Sequence, residues 1–367
     1  MIKNLKKFLQ KVFKNLFHII FKLLYGKIIY VSDNLSSSNI SINDVKNPNI
    51  KTFNDKTYRV YKIKNGRIYS DNVENVAIID KNQIIDNISY QQILGNLVSA
   101  NKNICLQKGT PRIKRHFKGA VLSLAQGASG ISNYYHWLFD LLPKIKLYSE
   151  VYNLNELDYL YAGNLQSFQA ESLVPLGLDK IKIIDIANYR HIEADEIICT
   201  DHPNYYDGFI ENKSKDIPAW TVKWLKDTYL KHAKKFDCND KIFIDRSSSQ
   251  SKHCQFINYN EISEFLTKMG FSKYKTENLN FFEKIYLFQN ANFIIGAHGA
   301  GFANLAFCKK GTKVIEVRPK NRTNSLYGKI SEINNLDYSL ITTDIIDEPE
   351  KINGDIKLSL NELKKFF

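Results

Sequence analysis

From Lys241 onward the chain alternates short apolar runs with amphipathic stretches, and this alternation limits the folds open to it. Strand-like runs at 242–245, 271–274, 292–295 and 313–317 are separated by helical patterns at 261–269 and 281–289 and by a glycine-rich turn. Gly270 stands where the first helix should stop, and Asn280 where the second should be capped. Strands that alternate with helices predict a parallel sheet covered on both faces. Ligands of such sheets bind beyond the carboxyl ends of the strands. Arg246, His298 and Glu316 all fall at or just past such ends.

The glycine-rich turn carries the strongest chemical signal. It reads I-I-G-A-H-G-A-G-F-A-N-L-A-F and is followed by G-T-K-V-I-E-V-R-P, ending at Pro319. Glycines after a strand let the backbone approach a ligand, and the helix start behind them aims N–H groups at an anion. The spacing is neither G-x-G-x-x-G nor a P-loop. The layout suits a nucleotide diphosphate. Arg246, His298 and the amides of Gly299, Ala300 and Gly301 are placed to meet the charge of a departing diphosphate. Glu316, at the end of the next strand, is expected to accept ribose hydroxyls. Asn304 lies one turn into the following helix and either reaches the pocket or pins the turn.

A second centre is His136 and Asp140, four apart in a predicted helix at 133–148 and therefore on one face. An imidazole and an acid in one cleft are suitable for general-base work. Asp140 is assigned as the base and His136 as its orienting partner or a ligand contact, with the converse assignment open. Taken alone, an H-x-x-x-D pair is as readily a surface pair or a buried histidine.

Four segments together resemble glycosyltransferase family 61: N-Y-Y-H-W-L-F-D-L-L-P-K-I from Asn133, I-F-I-D-R-S-S-S-Q from Ile242, N-L-N-F-F-E-K-I-Y-L-F-Q-N-A from Asn278, and the His-Gly turn with its following strand. They are collinear and span roughly 120–319. The resemblance implies a nucleotide diphosphate sugar donor, most often UDP-linked, held by the C-terminal half, and inversion at the anomeric carbon. It gives supporting places to Asn133 and Glu283. Glu283 either braces the donor loop or is a solvated helix acid. Lys284 departs from the Gln usual in the family, and Lys252 and His253 stand where bacterial relatives carry a further Arg. No D-x-D stands at a strand end, so no metal and no other cofactor is expected.

Charge is unevenly spread. Residues 1–30 hold seven lysines and no acid, out of a net charge of +13. The body is only mildly basic, which gives no reason to expect a nucleic-acid partner. Ile2, Leu5, Leu9, Val12, Leu16, Ile19 and Leu23 fall on one arc of a helical wheel, with Lys3, Lys6, Lys7, Lys11 and Lys14 opposite. No run is long and apolar enough to span a bilayer, and no cleavage site follows, so a helix lying on an anionic membrane through residues 1–24 is expected. The competing reading packs that helix on the protein's own body. Cys105, Cys199, Cys238, Cys254 and Cys308 are scattered without C-x-x-C spacing, as expected of reduced thiols.

The expected architecture is α/β and GT-B-like, with two facing Rossmann-like lobes behind a basic amphipathic helix. Its divisions are the helix at 1–30, an acceptor-side domain at 31–235, a nucleotide-sugar domain at 236–340, and a tail at 341–367 returning to the N-terminal lobe. The expected function is transfer of a sugar to a glycan or lipid-linked acceptor in bacterial surface polysaccharide (capsule or O-antigen) assembly, in the cytoplasm on the inner face of the plasma membrane. The alternative is an inactive membrane-surface scaffold or glycan-binding protein on the same fold. Sugar, linkage and oligomeric state are not specified by the sequence.

Overall fold

The computed structural model describes residues 2–32, 34–52, 55–71, 75–89, 91–93, 96–125, 132–204, 217–247, 254–322, 326–346 and 354–367. The chain forms two compact units. One comprises Met1–Gln166 with Gly177–Asn212, the other Ser167–Leu176 with Lys213–Phe367.

The second unit is built on five parallel strands, in the order Ser272–Tyr274, Lys241–Ile244, Phe293–Ala297, Lys313–Pro319 and Asp337–Thr343. The alternation seen in sequence is the reason: each strand but one is reached through a helical segment, which brings the chain back in the same direction. The helix Tyr259–Lys268 ends before Gly270, whose positive φ of 84° supplies the left-handed stop. A capping box between Asn280 and Glu283 starts the helix Phe281–Asn290. One side of the sheet buries Phe243, Ile295 and Val317 against Ile262, Leu266 and the C-terminal residues Ile356, Leu358 and Leu363.

Two boundaries differ from the sequence reading. The described residues of the C-terminal tail belong to the C-terminal unit. Its helix Leu360–Lys364 packs on the C-terminal sheet, Phe367 stacks on Phe293 at 5.4 Å, and Lys313 Nζ donates to the Phe366 carbonyl. The helix Ala219–Tyr229 also belongs to the C-terminal unit, because Lys226 Nζ donates to the Cys308 carbonyl at 2.9 Å and Tyr229 Oη to the Ser172 carbonyl. Trp220 of that helix is buried as packing.

The N-terminal unit is α/β but not a purely parallel, Rossmann-like lobe. Its parallel portion runs His191–Thr200, Arg115–Ser123, Tyr159–Ala162, Lys182–Asp185. Antiparallel strands extend it: Arg59–Lys64 and Arg67–Ser70 both pair with His191–Thr200, and Val76–Asp80 pairs with Arg67–Ser70. Asn65, with positive φ, only interrupts a run that continues in one direction along His191–Thr200, whereas the tight turn at Lys81, also with positive φ, leaves no room for a crossover helix and returns Gln83–Ile84 antiparallel to Val76–Asp80.

The basic N-terminal segment is the helix Ile2–Tyr25. Its last residue is tied to the body. The Tyr25 hydroxyl accepts from Lys114 N at 3.1 Å, and its ring meets His191 edge-on at 4.9 Å. Farther out, Val12, Phe13, Leu16, Phe17, Ile19, Ile20, Leu23 and Leu24 are all exposed. Among the described residues, no helix is long and apolar enough to cross a membrane. All five cysteines are free thiols.

Candidate active site

The C-terminal unit assembles its centre at the carboxyl edge of the parallel sheet. Ile244, Gly296 and Glu316 are in register across three adjacent strands. Side chains two residues apart on a strand share a face, so His298 lies beside Glu316. The two are hydrogen-bonded from His298 Nδ1 to Glu316 Oε1. Tyr338 Oη, on the next strand, donates to Glu316 Oε2. Glu316 is fully buried and His298 nearly so. Burial pushes the His298 imidazole down, against the raising effect of Glu316, and the neighbouring Arg322 and Arg246 charges add to the lowering. A neutral His298 that donates from Nδ1 presents the lone pair of Nε2.

Glu316 was expected at the ribose. In the structure both of its oxygens accept hydrogen bonds within the C-terminal unit, and its side chain is buried. Its position serves to fix the tautomer and orientation of His298.

Arg246 follows the strand Lys241–Ile244 and lies over Gly299. A Cβ added at Gly299 would meet the Arg246 guanidinium, so the glycine permits this close approach and any larger residue would make the guanidinium shift. Asp245 braces the turn beneath Arg246 by accepting from Ser247 N at 2.8 Å and from Tyr259 Oη at 2.9 Å. Gln255 donates to the Arg246 carbonyl. A cavity of about 190 Å³ opens here, lined by Phe243, Arg246, Ser247, Gln255, Tyr259 and Ala297. Ala300 and Gly301 begin a 3-10 segment, Ala300–Phe307, where an α-helix start was expected. Asn304, buried inside it, donates to the Gly301 carbonyl at 2.9 Å and therefore pins the turn. Glu283 closes its capping box and pairs with Lys234 at 2.8 Å. Among the described residues, its hydrogen bonds and ion pair go to Asn280 and Lys234. Lys284 is buried, with Nζ over the Phe168 ring, and burial pushes its ammonium down to about 8. Lys252 and His253 lie outside the described residues.

The centre in the N-terminal unit starts at Asn133. Its side chain caps the helix by accepting from Tyr135 N at 2.9 Å and His136 N at 3.3 Å. The helix widens into a π turn over Trp137–Leu141, directly before Pro143, which cannot donate to the preceding turn. His136 Nδ1 meets Asp140 Oδ2 at 2.6 Å. The other Asp140 oxygen accepts from Asn204 Nδ2 at 3.0 Å. Burial acts to raise the Asp140 carboxyl, but the His136 hydrogen bond and charge, with His202 and Lys144, outweigh it and hold it below the usual carboxylate value.

His136 and Asp140 differ in accessibility. The Asp140 side chain is 5% exposed with both oxygens engaged, whereas that of His136 is 22% exposed. Asp140 is thus the buried member of the pair and His136 the member open to solvent.

Several participants escaped the sequence reading. Asn204 and His202 come from D-H-P-N, just past the carboxyl end of His191–Thr200, and Asn204 N donates to His202 Nδ1 at 3.1 Å. Polar residues beyond a buried strand end were the available signal. Lys144 is fully buried, donates to the Leu124 carbonyl at 2.7 Å, and is pushed down to about 7 by burial. Tyr338, which bonds to Glu316, and Arg322, whose charge acts on His298, were also missed, and only the fold brings them there. Among the described residues, no group of three or more His, Cys, Asp or Glu side chains is placed to hold a metal ion.

His136, Asp140, Arg246 and His298 lie in a stretch that matches a known family, with Asn133 and Glu316 just outside it. The family model described as Glycosyltransferase 61 matches residues 134–315. No match is found among curated proteins. Among solved structures, the dodecameric iron-containing heptosyltransferase TibC, in complex with ADP-D-beta-D-heptose, aligns over 90% of this chain and 86% of its own. The identity is 12% and the TM-score 0.28, too low to transfer any feature.

Proposed function

This chain belongs to the glycosyltransferase 61 family, and we propose that it transfers a sugar from a nucleotide diphosphate donor, UDP-linked, to a hydroxyl acceptor with inversion. In this reading the C-terminal unit binds the donor. Arg246 and the amides of Gly299 to Gly301 hold the diphosphate, with His298 beside them. As the diphosphate arrives its negative charge favours protonation of His298, which turns Nε2 from acceptor to donor. The acceptor oxygen bonds to the anomeric carbon as the bond to the diphosphate oxygen breaks. Its proton passes to His136 Nε2, and Asp140 stabilises the imidazolium that forms. Arginine, imidazolium and backbone N–H groups carry the leaving-group charge, so turnover proceeds without a metal or other cofactor.

The acceptor is a glycan or lipid-linked saccharide of a bacterial surface polysaccharide such as capsule or O-antigen. The enzyme works peripherally on the cytoplasmic face of the plasma membrane, held there by the helix Ile2–Tyr25. The observation that carries the reading is the family match over both built centres: a neutralising Arg–His–glycine edge in one unit and a buried acid behind an exposed histidine in the other. The test is release of nucleoside diphosphate from a panel of nucleotide sugars supplied with membrane glycolipid extract. Release confined to one donor, unchanged by a chelator and lost in His136→Ala, supports the reading. A folded protein that turns over no donor contradicts it.

A further inference from the structure

We propose that the groove beside the N-terminal helix is a headgroup site for an anionic membrane phospholipid. The inference rests on the reading that this helix lies on a bilayer. The groove has a volume of about 770 Å³ and lies within the N-terminal unit. Phe17 and Phe21 of the helix form one wall, and Arg112, Ile113, Arg115 and Arg190 contribute to the rest. Among the described residues no carboxylate lines it. Lys114, between two of these arginines, is instead paired with Glu193 at 2.8 Å. Arg190 is fixed by donating to the Asp71 carbonyl at 2.7 Å, while Arg112 and Arg115 are exposed.

The composition of the groove selects the ligand class. Three arginines line one groove, two of them exposed, and arginine binds phosphate through paired N–H donors. A soluble phosphate compound has no use for the apolar wall. Ile113 is 67% exposed, and Phe17 is continuous with the helix face that shows Phe13, Leu16, Ile20 and Leu24 to solvent. Phe17, Phe21 and Tyr25 stack in sequence at 6.3 and 5.7 Å, leading from that face to the anchored end of the helix. The other flank of the same helix is basic too, with Lys22, Lys27 and Lys108 around a cavity of about 160 Å³. A phosphate held by arginine with its hydrocarbon beside phenylalanine matches a lipid at a membrane surface.

The test is sedimentation of the full chain with phosphatidylcholine vesicles doped with phosphatidylglycerol, or with oleate to equal surface charge. Arg112→Ala/Arg115→Ala removes two exposed cations without touching the core. We expect phosphatidylglycerol vesicles to be preferred over oleate vesicles, and the double variant to lose roughly 25-fold in affinity for them, about fivefold per charge. Equal binding of the two lipids, unchanged binding of the arginine variant, or full displacement by inorganic phosphate would overturn the site. Leu16→Glu/Leu23→Glu separates the two claims. If it abolishes all vesicle binding while the arginine variant binds normally, the membrane helix stands and the headgroup site fails. If it binds like the unaltered protein, the membrane reading fails and takes the site with it.

Discussion

Glu316 holds His298 from the adjacent parallel strand, accepting from its Nδ1 while the second carboxylate oxygen accepts from Tyr338. Removing the acid strands the buried His298 donor and releases the half-buried Tyr338 hydroxyl. Glu316→Ala should therefore lower stability by about 1–3 kcal/mol for the one buried unsatisfied group, measured by denaturant unfolding. Glu316→Gln should destabilise less and still weaken nucleotide binding through a misoriented imidazole. A direct ribose ligand would behave differently: the Gln variant would lose affinity with no change in stability.

Proton uptake should accompany nucleotide binding. Burial keeps the free His298 imidazole below its ordinary value, so at neutral pH it is uncharged before the ligand arrives. An adjacent diphosphate raises it and draws in up to about one proton. Affinity should then fall as pH rises through neutrality. Calorimetry in buffers of different ionisation enthalpy reads the proton directly, and His298→Asn should abolish it. Binding with no proton exchange in the unaltered protein would remove His298 from the phosphate site.

In the N-terminal centre, turnover should depend on His136 more than on its supports. His136→Ala should cost about 10²–10⁴ in kcat, the range of a positioned general base, with nucleotide affinity unchanged. Asn204→Ala frees one Asp140 oxygen and should cost less. A variant Asp140→Asn that lowers kcat while His136→Ala leaves it intact would restore the carboxylate as the base.

Much of this was legible in sequence because it depends on local order. Alternating strands and helices specified the parallel C-terminal sheet, and glycines at a strand end marked the close approach that Arg246 makes to Gly299. The partnership of His298 with Glu316 was not legible, although each was singled out. Register between strands 18 residues apart decides that Glu316 is sealed, and a lone sequence does not state register. Burial likewise decides which of His136 and Asp140 meets solvent, and the helical spacing they share is silent on it. The antiparallel half of the N-terminal sheet was not legible because Arg59–Lys64 and Arg67–Ser70 pair with His191–Thr200, a strand distant in sequence, and local pattern does not state such pairing.

His191 supplies a pH dependence separate from catalysis. It lies buried between Tyr25 and Tyr69, at 4.9 and 5.7 Å, and donates from Nδ1 to the Arg112 carbonyl. Burial pushes its imidazole down to about 4 from an ordinary 6.5. Between those values the unfolded chain binds a proton that the folded protein refuses. Stability is therefore intact above pH 6.5 and lost as pH falls towards 4, by up to roughly 3 kcal/mol. Asp201, raised to about 6 by burial, contributes the opposite slope in that window. The difference between the unaltered protein and His191→Gln isolates the histidine: the variant's unfolding free energy should fall less steeply with acid. Parallel slopes would refute this.

The central claim is that the edge formed by Arg246, Gly299 and His298 binds a nucleotide diphosphate, and Gly299→Ala tests it most directly. Its φ of 171° is extended backbone open to any residue, while the new Cβ would occupy the position of Arg246 Nη1. The measurement is calorimetric titration of UDP, GDP, CDP, ADP and dTDP, with and without magnesium, into the unaltered protein and this variant. We predict that UDP binds the unaltered protein whether or not magnesium is present, and that Gly299→Ala loses at least about tenfold, about 1.4 kcal/mol, while remaining folded. Equal affinity in both proteins, or no affinity for any of the five in a folded protein, would contradict the account.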